Sequence, residues 1–272
     1  MRQLLFILLL AMLGLPSLAQ DNELDCDSVL EIWQIQGAGD EANCMRTRIR
    51  TEGNIVTAIG PNGFFIQTPV ERSDNDLYTS DGIYVTTRQP AASWGLQVGD
   101  LITIDGGRVN DAFGTTVLDI SNPSQVEIIS SGNALPEPFD LSTVDITDYG
   151  GALHPMERYE GMLVKLDNAL VVAPTNRFDE FGVTINNSRS YREPGIEPDA
   201  TPQFAGLGLP EWDLNPELLE VDPPEMGLEP LQITPGAVVN IIGNIAYNYN
   251  DYQIFPSMIE IVQDAEFAVR PV

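Results

Sequence analysis

Short stretches of alternating hydrophobic and polar residues occupy much of the chain, and turns that contain glycine separate them. This period of two is typical of a half-buried strand, because successive side chains of a strand point to opposite faces. In the first half it predicts strands at residues 46–51 with 55–57, 63–67, 82–86, 101–104 and 115–118. Five short strands joined by such turns favour a small closed or partly open barrel, of which the OB-fold is one example.

The second half repeats features of the first half in the same order. Residues 52–56 resemble 160–164, residues 98–104 resemble 234–241, and residues 115–118 resemble 251–254. The spacing between matching segments increases along the chain, which indicates an insertion in the second copy. The insertion spans about residues 190–230, is acidic and rich in proline, and is expected to be irregular, with one helical turn near Leu218.

The pattern therefore predicts an all-β protein with two tandem OB-like five-stranded barrels, the second carrying the acidic, proline-rich insertion. We expect the first OB-like domain at residues 20–132, a linker at 133–155 and the second OB-like domain at 156–272. Tyrosines alternate with polar residues over 247–252. We interpret that segment as a cross-strand aromatic ladder, with a sugar-stacking strip as the alternative.

The first residues have the pattern of an export signal. Arg2 precedes an apolar run of about a dozen residues, Pro16 interrupts it, and small residues lead to a predicted cleavage after Ala19. We therefore interpret residues 1–19 as a signal peptide, with a retained membrane anchor as the alternative. The expected location of the mature chain is secreted, either periplasmic or extracellular.

Two cysteines, Cys26 and Cys44, lie near the expected mature N-terminus. In an oxidising compartment such a pair usually forms a disulfide bond. A metal site or a reactive thiol is the alternative, but no histidine lies nearby in the sequence.

The chain is strongly acidic, with a formal net charge of −27 and only thirteen basic residues, of which Lys165 is the one lysine. A field of this sign repels nucleic acid from the bulk surface. It leaves room for a local basic strip. With His154 as the only histidine, and without a nucleophile elbow or a phosphate-binding loop, no catalytic constellation is visible. We expect His154 to be a solvated loop residue and the chain to be non-catalytic.

Two groups of side chains are candidate ligand sites. Asp74, Asn75, Asp76 and Asp81 supply oxygen ligands in one loop, which suits Ca²⁺, although these residues also favour plain polar turns. The second group joins three arginines at alternating positions with aromatic residues that can stack on bases or sugars. Its members are Arg46, Arg48, Arg50, Phe64, Phe65 and Tyr84. The alternative for the arginines is a solvated strand face paired with carboxylates.

Several segments, taken in order, resemble a known family. They are residues 35–39, 52–58, 62–67, 79–85, 98–100 and 156–164. The series is similar to the tandem OB-like region at the front of large secreted bacterial nucleases, in which a catalytic domain of the endonuclease/exonuclease/phosphatase type follows. No such domain is present before Val272, so the resemblance implies an accessory module. Its implied partners are a separate nuclease and extracellular DNA. Two alternative functions stay open: a cryptic or split metal-dependent nuclease, and a structural surface or matrix protein.

Overall fold

A computed structural model describes residues 24–39, 41–145, 154–185, 206–209, 217–248 and 251–265. The predicted signal peptide and residues 190–205 and 210–216 of the predicted insertion lie outside these ranges. Within the described residues, no helix is long and apolar enough to cross a membrane.

The first half of the chain folds into a closed five-stranded barrel, here barrel 1. Its strands are β1 (Arg48–Ile59), β2 (Gly63–Gln67), β3 (Gly82–Thr87), β4 (Leu101–Ala112) and β5 (Thr115–Ile120). The order is β1-β2-β3-β5-β4, and β4 pairs with β1 to close the sheet. All pairs are antiparallel except β3 with β5. The predicted strands are confirmed, and a sixth strand, β6 (Val126–Ser130), extends the sheet beside β4.

The second half repeats this topology in barrel 2. After β7 (Phe139–Asp140), its strands are β8 (Leu163–Ala173), β9 (Phe181–Thr184), β10 (Leu218–Val221), β11 (Val238–Asn248) and β12 (Asp251–Gln263). The order β8-β9-β10-β12-β11 closes through β11 and β8, again with one parallel pair, β10 with β12. The matching sequence segments lie at or beside topologically equivalent strands: β1 with β8, β4 with β11, and β5 with β12. The chain is therefore an all-β protein of two tandem OB-like barrels.

Two details differ from the sequence prediction. The predicted helical turn near Leu218 is wrong, because strand β10 lies there, with Leu219 and Val221 fully buried in the barrel core. Strand β7 lies inside the predicted linker and pairs in parallel with β8. The next residue, Leu141, is also fully buried in the core of barrel 2. Both segments gain their structure from partners distant in the sequence, so their local pattern does not reveal it.

The N-terminal segment closes one side of barrel 1. A short helix, α1 (Ile32–Gln36), contributes Ile32 and Ile35 to the barrel core, where neither is exposed. The predicted disulfide bond between Cys26 and Cys44 is confirmed, with Cα atoms 5.7 Å apart. It ties the segment before α1 to the segment before β1.

Because the two cysteines are 18 residues apart, we expect the Cys26→Ser, Cys44→Ser double variant to lose about 3 kcal/mol of stability, through the larger entropy of its unfolded chain. Urea unfolding measures this loss. Reduced wild-type protein serves as the control, since it should unfold at the same urea concentration as the variant. A variant as stable as the oxidised protein contradicts the prediction.

Candidate functional site

The two barrels are joined by direct polar contacts. Leu163 N–H donates to Gln67 Oε1 at 2.8 Å, and the Ser80 hydroxyl donates to the Glu160 carbonyl at 2.6 Å. The Asn244 side-chain amide donates to Thr57 Oγ1 at 3.1 Å. All six residues are buried. The β2–β3 side of barrel 1 is thereby covered by barrel 2.

An apolar cluster fills the centre of this junction. Phe65 has no exposed surface, and its ring lies 4.6 Å from Tyr84 and 6.1 Å from Phe255 between centroids. Ala58, Ala246 and Met226 complete the group, here called the junction cluster. Burial raises the pKa of the half-buried Tyr84 well above its usual value, and the charge of Glu225 adds to the shift.

The predicted aromatic stacking surface is consequently wrong for two of its three members. Phe64 is fully buried inside barrel 1, and Phe65 is fully buried in the junction cluster. Strands 2 and 3 are where OB-folds commonly bind ligands. In barrel 1 that surface has become a domain interface, so stacking by Phe64 and Phe65 is blocked.

A pair of glycines allows the backbones to approach closely at the junction. A Cβ atom on Gly82 would lie 2.2 Å from the carbonyl carbon of Gly161, and one on Gly161 would lie 2.4 Å from the amide nitrogen of Ile83. Gly161 also has a φ of 75°, which favours glycine. The sequence repeat that includes Gly161 therefore marks a contact between the barrels.

Glu160 is a carboxyl group buried at the same junction, with 1% of its surface exposed. Its Oε1 accepts from Thr116 N–H at 2.9 Å and from the Gln36 side-chain amide at 3.5 Å, whereas Oε2 has no hydrogen-bond partner among the residues that the structure describes. Burial raises the pKa of this carboxyl well above its usual value, and the charge of Glu157 adds to the shift. A protonated, neutral Glu160 suits this environment.

The three predicted arginines lie near one another but do not form a regular row. Arg48 and Arg50 lie in β1 on the outer side, separated by the buried Ile49. Arg46 precedes the strand with a φ of 63°, outside the extended region. Arg50 pairs with two carboxylates, Glu52 at 2.6 Å and Asp105 at 2.7 Å.

A fourth arginine, which the alternating sequence pattern does not reveal, lies at this surface. Arg108 in β4 is the direct cross-strand partner of Arg48, and both side chains are exposed. The Arg48 guanidinium donates to the Gly106 carbonyl at 2.8 Å. Within the described part of the chain, no carboxylate oxygen lies within 4 Å of the guanidinium nitrogens of Arg46, Arg48 or Arg108. We call Arg46, Arg48, Arg50 and Arg108 the arginine face.

The aspartates of the predicted calcium loop are engaged in turns. Asp74 Oδ1 accepts from Asp76 N–H and from the Thr79 hydroxyl, both at 3.0 Å. Asp76 Oδ1 accepts from Tyr78 N–H at 3.0 Å. Asn75 and Asp81 complete the predicted group, and burial raises the pKa of Asp81. Among the described residues, no three His, Cys, Asp or Glu side chains are grouped to hold a metal ion. Calcium binding here stays a prediction.

His154 is not the solvated residue that the sequence suggested. Its ring stacks on Tyr252 with centroids 4.5 Å apart, and its Nδ1 accepts from Met156 N–H at 3.1 Å. Burial lowers the pKa of His154 to about 4, so the ring is neutral at physiological pH. Tyr252 also faces Tyr247 across the β11–β12 hairpin at 4.8 Å, which confirms the aromatic pairing.

Barrel 2 carries a group of carboxyl side chains beside β10, here called the carboxyl cluster. Glu180, Glu220 and Asp222 form it. The Asn176 amide donates to Glu180 at 2.7 Å and to Glu220 at 3.3 Å, and Gln253 donates to Glu220 at 3.0 Å. Burial and the charge of Glu180 raise the pKa of Glu220 to about 7. Burial, with the charges of Glu225 and Glu180, raises that of Asp222 to about 7.

Residues 141–264 match a family model described as "Domain of unknown function (DUF8508)". No curated protein matches the chain. Three solved structures are similar: the p204 HINb domain, the tetrameric p202 HIN2, and a murine DNA binding protein bound with double-stranded DNA. Their identities are 10%, 7% and 10%, with TM-scores of 0.30, 0.31 and 0.29. The alignments cover 81%, 80% and 79% of this chain and 100%, 98% and 98% of those chains.

Proposed function

We propose that this chain is a secreted, non-catalytic binding module that holds extracellular DNA through the arginine face of barrel 1 and acts beside a separate nuclease. One observation carries the DNA-binding part of the proposal. Arg48 and Arg108 stand directly opposite each other, exposed, in a chain of net charge −27. Like charges in direct cross-strand register are unfavourable. An anion bound between them removes that repulsion.

The chemistry of the face suits phosphate. A guanidinium group presents several N–H donors in a planar fork that matches phosphate oxygens, and it stays charged at any physiological pH. Arg50 is already paired with Glu52 and Asp105. Arg46, Arg48 and Arg108 are therefore the groups that would bind phosphate, with Arg50 holding the edge of the surface in place.

The buried aromatic residues limit how such a ligand is recognised. Because Phe64 and Phe65 are enclosed, binding at this face would rest on phosphate contacts rather than base stacking. Phosphate contacts position a nucleic acid without carrying sequence information. The long-range field of the acidic chain opposes the approach of DNA. We therefore expect sequence-independent binding that is measurable at low salt and weakens steeply as salt is added.

Export and the nuclease partner have separate support. The pattern of residues 1–19 predicts a signal peptide, and the Cys26–Cys44 bond suits an oxidising compartment. The ordered series of motifs resembles the accessory region of secreted nucleases.

The test is fluorescence anisotropy of a labelled 20-nucleotide DNA strand in about 20 mM salt. We expect Arg48→Ala, Arg108→Ala to weaken binding at least tenfold, because two charge-assisted contacts are lost. Arg177→Ala is the matched control, since this exposed arginine lies in the β8–β9 loop of barrel 2. No binding by the wild type, or equal binding by the double variant, refutes the proposal. Plasmid DNA incubated with the protein and Mg²⁺ or Ca²⁺ should stay intact, and nicking would favour the nuclease alternative.

A further inference from the structure

A cavity of about 460 Å³ lies at the junction, separate from the arginine face. Its walls come from both barrels and from the segment before β7, and they include Ile59, Leu135, Leu163, Met226 and Ile242. Small-molecule sites commonly have 300–1,000 Å³ of volume, mostly apolar walls and a position between domains. The cavity has the volume, lining and position of a ligand site.

The mouth of the cavity exposes apolar side chains to solvent. Val98 is 48% exposed and Leu135 is 41% exposed, and Pro136 and Pro138 stiffen the same rim. Contiguous exposed apolar surface around a groove is typical of a ligand-binding site. An apolar molecule lying in this mouth would cover these side chains and remove their surface from water.

One buried polar group faces the cavity. Thr57 lines it and is only 2% exposed. Its oxygen accepts from the Asn244 amide at 3.1 Å. A hydroxyl group can donate as well as accept, and no acceptor for the Thr57 proton is found among the described residues. The cavity wall thus offers one donor, at Thr57, in apolar surroundings.

The negative charge around the cavity favours apolar ligands with a cationic group over those with an anionic group. Among the described residues that line the cavity, Glu137 is the one that carries a charge, and it is exposed. The field of the whole chain, at −27, has the same sign. An anionic amphiphile such as a fatty acid is repelled by both, whereas a cationic group beside Glu137 is attracted by both.

We propose that this cavity binds an elongated apolar molecule with a cationic end, its chain lying between the barrels and its charged end beside Glu137. The site is independent of the proposed DNA-binding face. Since its walls come from both barrels, the ligand would hold them together, and binding to the folded state alone stabilises it by mass action.

Isothermal titration of the full mature protein with decylamine tests the proposal, with decanol and decanoate as probes of equal chain length. All three are used below their micelle-forming concentrations. We expect decylamine to bind at least tenfold more tightly than decanoate and more tightly than decanol. Glu137→Gln should bring the affinities for decylamine and decanol together. The melting temperature should rise with decylamine and stay unchanged with decanoate.

Two blocking variants place the ligand in this cavity. Ser257→Trp and Leu135→Trp each put an indole at the mouth, where both residues are exposed. Either should reduce decylamine affinity at least tenfold. Ser124→Trp, in an exposed segment before β6, is the control and should bind like the wild type. Decylamine binding that persists in folded blocking variants, no binding by the wild type, or equal binding of decanoate overturns the proposal.

Discussion

Phe65→Ala is expected to cost about 3–5 kcal/mol of stability, the usual range for removing a fully buried phenylalanine. Phe65 has no exposed surface and contacts the rings of Tyr84 and Phe255 at the junction. Its loss would leave a cavity between two barrels that are each closed by their own hydrogen bonds. Neither barrel can readily collapse into that space, so the cost should lie toward the upper end of the range.

The same variant should also change how the protein unfolds. The junction cluster is the apolar contact that couples the two barrels, because each barrel has a separate core of its own. When it is weakened, we expect one urea transition to separate into two. Phe178→Ala is the matched control, since Phe178 is 58% exposed in the β8–β9 loop. It should change stability by less than about 1 kcal/mol. Two variants of equal stability would mean that the junction adds little to the fold.

The strands were predictable wherever alternation and turn residues agree locally. β2 and β3, for example, follow the turns that include Asn62 and Asp81. β10 was not predictable, because its four residues sit among prolines and acidic residues and pair with β9 and β12. A strand stabilised by such distant partners has no local signature.

The candidate site shows the same division between local and distant information. Alternation places Phe64 and Phe65 on opposite sides of β2, so one of them had to face away from the core of barrel 1. The outward-facing Phe65 is covered by barrel 2, through residues such as Phe255 that lie nearly two hundred positions later in the sequence. Arg48 was visible from its spacing, whereas Arg108 required the cross-strand register, which sequence pattern leaves open.

The stability of the folded protein is expected to fall strongly as the pH rises, because of the carboxyl cluster of barrel 2. Glu220 is half-buried and Asp222 is 5% exposed, and each has a pKa raised to about 7. In the unfolded chain both ionise near pH 4. Between about pH 4 and pH 7 the folded state therefore holds more protons than the unfolded state. The stability that these groups contribute is fully present below about pH 4 and is lost as the pH rises through about 7.

Ionisation of the carboxyl cluster is expected to destabilise the junction between the barrels as well as strand β10. The Asp222 carboxylate accepts from Glu225 N–H at 3.2 Å, at the start of the short 3₁₀ turn Pro224–Met226 that carries Met226 into the junction cluster. Asp251 lies at the start of β12 and adds to the negative charge that Glu220 faces. Ionisation of the cluster therefore raises repulsion beside the turn that holds Met226 in place.

Urea unfolding of the wild type and of Glu220→Gln, Asp222→Asn at pH 5 and pH 8 measures this effect. The amides keep the shape of the protonated acids and one of their two acceptor oxygens. At pH 5 the unfolded wild type is already ionised, so part of the stability is lost and the variant should be more stable by about 1 kcal/mol. At pH 8 the variant should be more stable by about 3 kcal/mol, a figure reduced for solvent screening at Glu220. His154, which favours the folded state at higher pH because its pKa is lowered to about 4, contributes equally to both proteins and cancels in their difference. Asp76→Asn, at an exposed aspartate, is the control and should follow the wild type at both pH values. If the difference in stability between the double variant and the wild type does not grow with pH, Glu220 and Asp222 are ionised in the native protein.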